Sequence, residues 1–328
     1  MRPTRTLLAA SLAACLAVVM ASARAQPGPG PSLLVVLVVD QMRLDYLERM
    51  RDRWTHGLAR LVSGGAVFEQ NAYPYLQTVT CAGHATISTG TFPATHGIIL
   101  NAWWRGTRNA TCTDDAMVTS VAYGPGAQAV GHSARELRAP TLADRLRERT
   151  PASRVVTLSI KPRSAVMLAG HAGVVTWLDD KYVWATSTAF APSPNPDVQA
   201  FVTAHPLDAL RDTVWTRVDD PSHYTGLDDG VGEASPGGWS TGFPHPLAGA
   251  PGTPHAQFST LWETSPYADD YLGAMAASLV ERMKLGQRDT VDYLGVSFSA
   301  LDYVGHAFGP DSHEVQDTLL RLDITVGR

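Results

Sequence analysis

Unbroken apolar runs divide the chain into segments that are typical of buried strands. Leu33 to Val39 form an aliphatic run that ends at Asp40, and the absence of polar alternation favours a central parallel strand buried on both faces. Arg154 to Ile160 predicts another buried strand, and Val291 to Phe298 predicts a strand that leads into Ser299 to Asp302. A shorter strand is predicted near Ala66 to Phe68.

Helical patterns separate these predicted strands. Trp54 to Val62 and Thr141 to Arg147 form short helical patterns, and Tyr267 to Leu285 forms a longer one with apolar residues on one face. A further apolar stripe begins at His313. Alternation of this kind predicts an α/β fold with a doubly wound, mostly parallel sheet flanked by helices.

The residue composition changes along the chain, which suggests a division into parts. Residues 26–32 form a Pro/Gly-rich linker, and residues 33–191 form the first part of the core. Residues 192–264 are dense in Pro, Gly, Asp and His, which predicts an insertion or cap over the active face. Residues 265–328 continue the core. Because the final helix should feed another strand, we expect a truncated C-terminal part; a helix that closes the fold is the alternative.

The N-terminus has the features of an export signal. Arg2 and Arg5 precede the apolar run Leu7 to Val19, and Ala23-Arg24-Ala25 matches an A-x-A cleavage site. We therefore predict a signal peptide over residues 1–25 and an exported protein, periplasmic or secreted. No later run is long enough for a membrane span, and a retained N-terminal anchor is the alternative.

Composition excludes some classes of function. The chain has 328 residues, of which 45% are hydrophobic and 17% charged, so a globular protein with a substantial core is expected. The formal net charge of −5 argues against a broad nucleic-acid-binding surface, although a local cationic pocket is compatible with it. The sequence leaves the oligomeric state open.

Cysteines after the predicted signal are few. Cys81 and Cys112 would lie in an oxidising compartment, either paired or as free thiols, and the sequence leaves both states open. The chain contains no C-x-x-C pair, which argues against a thiolate zinc site.

Candidate metal ligands follow two of the predicted strands. Asp40 ends the first strand, and Asp302 follows the last one, with His306 four residues further on. The carboxyl ends of strands are where open α/β sheets bind ligands, and carboxylate and imidazole groups suit a zinc-type ion. The alternative for each aspartate is a helix cap or a turn.

Other residues suggest binding of an anion. Thr80 lies in a polar turn that opens a predicted helix, where a hydroxyl meets N–H groups that favour phosphate; an ordinary N-cap is the alternative. Lys161 and Arg163 follow a strand and could clamp phosphoryl oxygens, unless they form a solvated basic turn. Asn101 could donate a hydrogen bond to the same group.

Together these motifs resemble the alkaline phosphatase superfamily. The segment Thr80 to Gly97 is similar to the nucleophile region shared by its phosphatases and its nucleotide pyrophosphatase/phosphodiesterase branch. Lys161-Pro162-Arg163 resembles the K-x-R of the threonine-nucleophile (PafA-type) alkaline phosphatases. Phe243-Pro244-His245 and the segment Ser297 to Pro310 also resemble this type.

The resemblance implies a two-zinc phosphatase. Thr80 would be the nucleophile of a phospho-threonine mechanism acting on small-molecule phosphate esters. The zinc ions would be bound by Asp40 and Thr80 for one ion and by Asp302 and His306 for the other. The phosphoryl oxygens would be held by Asn101, Lys161 and Arg163, a triple contact that favours dianionic monoesters.

The sequence departs from the family pattern after His306. The family supplies further ligands downstream, an Asp-His pair and a later histidine, whereas this chain has no Asp-His dipeptide and only His313 follows His306. We therefore expect an incomplete metal site and impaired activity. The alternatives are a phosphodiesterase or nucleotide pyrophosphatase, or an inactive fragment.

Overall fold

The computed structural model describes residues 30–124, 130–249 and 257–328, and Ser32–Arg328 form one compact unit. The predicted signal peptide (residues 1–25) lies outside the described residues, as do residues 26–29 of the linker. The strands are β1 (Leu33–Val39), β2 (Ala102–Arg105), β3 (Arg108–Thr111), β4 (Asp114–Ala122), β5 (Val130–His132), β6 (Val155–Ser159), β7 (Val174–Leu178), β8 (Trp184–Ser187), β9 (Val214–Trp215), β10 (His245–Pro246) and β11 (Asp292–Phe298).

Helices connect and flank these strands. The α-helices are α1 (Leu44–Arg49), α2 (Gly57–Gly64), α3 (Thr80–Thr89), α4 (Pro93–His96), α5 (Leu142–Arg149), α6 (Pro162–Ala169), α7 (Pro196–Ala204), α8 (Phe258–Glu263), α9 (Tyr267–Arg282), α10 (Ala300–Phe308) and α11 (His313–Gly327). Short 3-10 helices lie at Arg51–Arg53, Leu207–Leu210 and Pro221–His223. Within the described ranges, no helix combines the length and apolar character that a membrane crossing requires.

The main sheet has the strand order β1-β11-β6-β7-β8-β4-β5. Pairing is parallel from β1 through β11 and β6 to β7, and it is antiparallel from β7 through β8 and β4 to β5. The predicted class, an α/β sheet flanked by helices, is confirmed. The strands of its parallel half lead into Asp40, Lys161 and Asp302, which are among the residues that the sequence analysis selected.

Two strand predictions are wrong. β1 lies at an edge of the sheet that the described residues form, with Val35 46% and Leu37 39% exposed. An unbroken apolar run is typical of a strand buried on both faces. It does not specify which segments lie beside the strand or cover its faces. The strand expected near Ala66 to Phe68 is not formed, and Phe68 is 76% exposed. A run of three residues is too short to decide between a strand and a loop.

Alternating residues of the central strands pack into cores on the two faces of the sheet. On one face, Leu158 of β6 and Val296 of β11 pack with Leu272 of α9 and Leu319 of α11. On the other face, helices α3 and α6 supply the buried cluster Cys81, Ala85, Ala165, Val166, Met167 and Ala169. The spacing of apolar residues along each strand and helix therefore determines which face of the sheet the helix covers.

The segment predicted as an insertion is attached to helix α11. The buried carboxylate of Asp317 accepts hydrogen bonds from the indole of Trp215 at 2.6 Å, the N–H of Val218 at 2.6 Å and the hydroxyl of Tyr224 at 2.5 Å. The imidazole of His245 lies 2.9 Å from the carboxylate of Glu314, and both side chains are fully buried. Polar contacts with one helix therefore tie the described part of this segment to the core, in addition to its apolar packing.

The crossing of α2 and α11 depends on a glycine. A Cβ at Gly57 would overlap the backbone of Val326 and Gly327, whereas a Cβ at Gly64, at the other end of α2, would meet nothing within 4 Å. We expect Gly57→Ala to lower the free energy of unfolding by about 1–3 kcal/mol because the helices must separate. Urea unfolding measures this change. Gly64→Ala is the matched control, and equal stability of the two variants would show that the close approach is unimportant.

Candidate active site

The carboxyl ends of three neighbouring strands place the candidate residues at one edge of the sheet. Val39 of β1 pairs with Phe298 of β11, and Ser297 of β11 pairs with Ser159 of β6. The three strands therefore end at the same edge of the sheet. Asp40, Ser299 and Lys161 follow within two residues, which brings side chains far apart in sequence to one place.

Lys161 lies between the two aspartates. Its Nζ is 2.9 Å from Oδ2 of Asp40 and 2.5 Å from Oδ2 of Asp302, and the side chain is only 1% exposed. The ammonium also lies 4.6 Å from the centre of the Tyr303 ring. A buried ammonium is costly unless its charge is compensated, and the two carboxylates supply that compensation.

Asp40 is held in its charged form. Burial by itself would raise the pKa of Asp40, but the nearby His84 and Lys161 and the hydrogen bonds from Lys161 and Ser299 outweigh burial and leave this pKa below its usual value. The hydroxyl of Ser299 donates to Oδ2 of Asp40 at 3.2 Å. Both oxygens of the carboxylate therefore lie in a polar environment, with Nδ1 of His84 at 3.8 Å from Oδ1.

His84 links helix α3 to the sheet. Its Nδ1 lies 2.8 Å from the carbonyl oxygen of Thr80, and its Nε2 lies 2.8 Å from the hydroxyl of Ser297. A carbonyl oxygen only accepts, so Nδ1 carries the hydrogen. Burial lowers the pKa of His84, while the neighbouring Asp40 acts in the opposite direction. The ring thus fixes the start of α3 relative to β11.

Thr80 is the first residue of α3, as the sequence predicts. The next residue, Cys81, donates its backbone N–H to Oδ1 of Asn101 at 2.9 Å and forms a disulfide with Cys112, with the two Cα atoms 6.5 Å apart. The N–H of Cys112 donates to the carbonyl oxygen of Asn101 at 2.9 Å. Since Oδ1 accepts, the Nδ2 group is the end of the Asn101 side chain that can donate to an anion. The disulfide between Cys81 and Cys112, one of the two states that the sequence left open, is formed.

A cavity of about 610 Å³ lies at this edge of the sheet. The predicted site residues among its lining are Asp40, Thr80, Asn101, Arg163, Asp302 and His306. Arg163 has a buried Nε without a hydrogen-bond partner in the described part of the chain, and His306 is exposed with Nε2 at 3.4 Å from Oδ1 of Asp302. Lys161 is not among the described lining residues, and neither is any residue of the predicted cap, 192–264.

The donors at this edge suit a divalent metal ion by type. Carboxylate, hydroxyl and imidazole groups are available from Asp40, Thr80, Asp302 and His306, and the Lys161 ammonium already marks a position between carboxylates where positive charge is favourable. Within the described ranges, no three His, Cys, Asp or Glu side chains are grouped closely enough to hold a metal ion. The residues present therefore fit part of a zinc ligand set.

The sequence analysis missed two supporting residues, Ser299 and Asp269. Ser299 contacts Asp40, and the buried Asp269 of α9 accepts hydrogen bonds from the backbone at the start of α10. Burial raises the pKa of Asp269 to about 7. Ser299 follows a strand directly, which is a signal for a site residue, but nothing in the helical pattern of α9 distinguishes Asp269 from a solvated aspartate.

A further carboxyl group lies close to the cationic residues. Burial raises the pKa of Glu263, the last residue of α8, to about 7, while Tyr182, Lys161 and Arg163 act in the opposite direction. Glu263 also contributes to the raised pKa of Tyr303, for which burial is the main cause. This part of the molecule therefore contains an acid that titrates near neutral pH.

The chain belongs to the type I phosphodiesterase / nucleotide pyrophosphatase family, whose model matches residues 34–328. It is 33% identical to alkaline phosphatase PhoV of Synechococcus elongatus over 305 residues, covering 89% of this chain and 54% of that protein. It is also 33% identical to alkaline phosphatase PafA of Elizabethkingia meningoseptica over 314 residues, covering 90% and 55%. The chain thus spans about half the length of the curated relatives it matches.

Solved structures of PafA have the same fold. The wild-type structure superposes with a TM-score of 0.83 at 32% identity, covering 91% of this chain and 58% of PafA. A PafA variant in which a threonine, an asparagine, a lysine and an arginine are substituted gives a TM-score of 0.84 at 32% identity, covering 91% and 59%. The Thr–Asn and Lys–Arg spacings of those substitutions equal the spacings of Thr80–Asn101 and Lys161–Arg163 here.

Removing the central ammonium should destabilise the metal-free protein. Lys161→Met leaves the carboxylates of Asp40 and Asp302 facing each other without a counter-charge, so we expect a loss of about 3 kcal/mol in the free energy of unfolding at neutral pH. Chemical denaturation in the presence of a chelator measures it. The control is Lys181→Met at an exposed lysine, and an unchanged denaturation midpoint for Lys161→Met would contradict the role of this ion pair.

Glu263 should make stability depend on pH. Its pKa is about 7 in the folded protein against 4.5 for the free group, so the folded state retains a proton that the unfolded state releases, and stability falls as the pH rises through this window. Glu263→Gln removes this loss, on the order of 2 kcal/mol between about pH 5 and about pH 8. Thermal unfolding of both proteins at several pH values measures it. The exposed Glu281→Gln is the control, and parallel pH profiles for wild type and Glu263→Gln would refute the assignment.

Proposed function

We propose that this protein hydrolyses phosphate monoesters through a phospho-threonine intermediate on Thr80, in the manner of an alkaline phosphatase. The observation that carries the proposal is the shared cavity: Thr80, at the start of a helix, lines it together with two carboxylates, a histidine and two anion-binding side chains. Such an arrangement combines a nucleophile with groups that stabilise negative charge.

The first step is attack of the Thr80 oxygen on phosphorus. The new O–P bond forms as the bond to the ester oxygen breaks, and the leaving alcohol takes up a proton. Water then attacks the phospho-threonine, releases inorganic phosphate and restores the hydroxyl. The Nδ2 group of Asn101 and the guanidinium of Arg163 would stabilise the charge on the phosphoryl oxygens in both steps.

Zinc is the proposed cofactor, with two ions per site. Asp40 and Thr80 would hold one ion, and Asp302 and His306 would hold the other. Bound zinc activates a hydroxyl nucleophile and stabilises a leaving oxygen. The donor types along the cavity support this assignment, and these residues would supply part of each ligand set.

Phosphate monoesters are the proposed substrate class because Asn101, Lys161 and Arg163 together can meet three non-bridging oxygens. The PafA variant with a substituted threonine, asparagine, lysine and arginine supports this set, since its residue types and spacings match those of this chain. For Lys161 the role requires that its buried ammonium, which donates to two aspartates, be reached from the cavity.

Two other functions remain as candidates. The family description names phosphodiesterases and nucleotide pyrophosphatases, which makes hydrolysis of a small-molecule diester the second candidate. A non-catalytic protein is the third, because the proposed ligands Asp40, Thr80, Asp302 and His306 supply only part of each ligand set. The Cys81–Cys112 disulfide supports the proposal that the protein is exported to the periplasm or secreted.

Thr80→Ala should abolish hydrolysis. Without the hydroxyl no phospho-threonine forms, so we expect the zinc-dependent kcat for an aryl phosphate monoester to fall by at least about 1,000-fold. Thr80→Ser retains a hydroxyl and should keep measurable activity. The assay follows phenol release by the purified chain with added zinc and with chelator, and a phosphorylated Thr80 would be sought by mass spectrometry after rapid acid quenching.

The controls separate the candidate functions. Thr78→Ala changes a threonine that also lines the cavity but precedes the helix, so it should lose far less activity. Faster hydrolysis of the matching aryl diester would favour the phosphodiesterase. No hydrolysis of either ester by folded protein with zinc present would favour the non-catalytic protein.

A further inference from the structure

Helix α10 carries both Asp302 and His306, and it is capped by a residue of another helix. The N-cap residue Ser299 makes no capping hydrogen bond with its own side chain. Instead, Asp269 of α9 accepts the N–H of Ser299 at 2.9 Å and the N–H of Ala300 at 3.2 Å, with its second oxygen 3.3 Å from the same Ala300 N–H. Two of the N–H groups that lack an intrahelical partner at the start of α10, those of Ser299 and Ala300, are thus satisfied from outside.

This external cap frees the Ser299 side chain for a second task. A serine at an N-cap ordinarily accepts a hydrogen bond from its own helix. Here the hydroxyl of Ser299 donates to Oδ2 of Asp40 at 3.2 Å, on the same oxygen that accepts from Lys161. One residue therefore connects the start of α10 with the carboxylate that follows β1.

The burial of Asp269 suggests that this cap has a role in positioning helix α10, because a buried carboxyl group is not the most stabilising cap. Its side chain is 2% exposed, and a carboxylate in such a place is costly even when it accepts hydrogen bonds. A neutral Asn or Ser could cap a helix at lower cost. The carboxyl group nevertheless faces the positive end of α10, and its position on the packed helix α9 ties the direction of α10 to the core.

We propose that Asp269 and Ser299 are positioning residues of the candidate active site: Asp269 fixes the start of α10, and with it Asp302 and His306, while Ser299 orients Asp40. The catalytic meaning of this arrangement rests on the proposed phosphoester hydrolysis. Neither residue lines the cavity among the described residues, so each acts through the groups it holds.

Amide hydrogen exchange of the full chain without added metal tests the structural part directly. In Asp269→Ala, the amides of residues 299–303 should exchange about tenfold faster, because the start of the helix loses its acceptor. Asp269→Asn keeps one carbonyl acceptor and should give an intermediate rate, which preserves the test if the alanine variant folds poorly. Ser299→Ala keeps the backbone contacts and should leave these rates unchanged.

Asp270→Asn is the matched control. Asp270 is the neighbouring carboxylate on α9 and accepts a hydrogen bond from Thr325 of α11, not from α10. It should alter global stability without a specific effect at residues 299–303. Equal exchange at these residues in Asp269→Ala and Asp270→Asn would overturn the positioning role of Asp269.

Kinetics test the catalytic part and separate it from the proposed function. With an aryl phosphate and zinc, Asp269→Asn and Ser299→Ala should each lower kcat by about tenfold while KM changes little, because positioning affects the reacting groups more than ground-state binding. Unchanged kcat in both variants would overturn the role. If the proposed function is wrong, wild type and Thr80→Ala will hydrolyse the ester equally. The exchange results would then still decide whether Asp269 holds the start of α10.

Discussion

The ion pairs of Lys161 with Asp40 and Asp302 are the interaction on which the candidate site depends. These residues follow three adjacent parallel strands and lie 121 and 141 residues apart in sequence, so the contact exists only when β1, β6 and β11 are in register. The ammonium neutralises carboxylates that would otherwise repel each other in a buried setting. The same carboxylates would be required by a metal ion, so charge neutralisation at this edge links folding of the sheet to the chemistry proposed for it.

Buried carboxylates organise the surroundings in the same way. Asp269 holds the start of α10, and Asp323 of α11 accepts the N–H groups of Thr55 and His56 at 2.9 Å and of Leu58 at 2.6 Å, at the start of α2. In both cases a buried carboxyl group on one helix accepts the N–H groups at the start of another, which favours a defined relative direction of the two helices. Apolar packing alone is less directional, so these contacts help to determine where α2 and α10 begin.

The sequence predicted much of the parallel half of the fold and little of its edges. The runs ending at Val39 and Phe298 and the run inside Arg154 to Ile160 are strands, and Thr80 opens a helix. The edge position of β1 and the irregular backbone at Ala66 to Phe68 were not predictable, because hydrophobicity reports burial and not the identity of the neighbouring segment. Asp269 could not be recognised either, because an aspartate in the first turn of a helix is ordinarily a solvated residue that favours the helix dipole.

The sequence by itself determined which chemical groups stand at the ends of the strands: the carboxylates, the threonine at a helix start and the cationic pair. These follow from local periodicity and from residue type, which do not depend on distant parts of the chain. Only the tertiary structure decided that Lys161 lies between two aspartates, that Cys81 pairs with Cys112, and that Asp269 caps α10. Each of these contacts joins segments that are distant in sequence, and its distance is set by strand register and helix packing, for which no local pattern carries information.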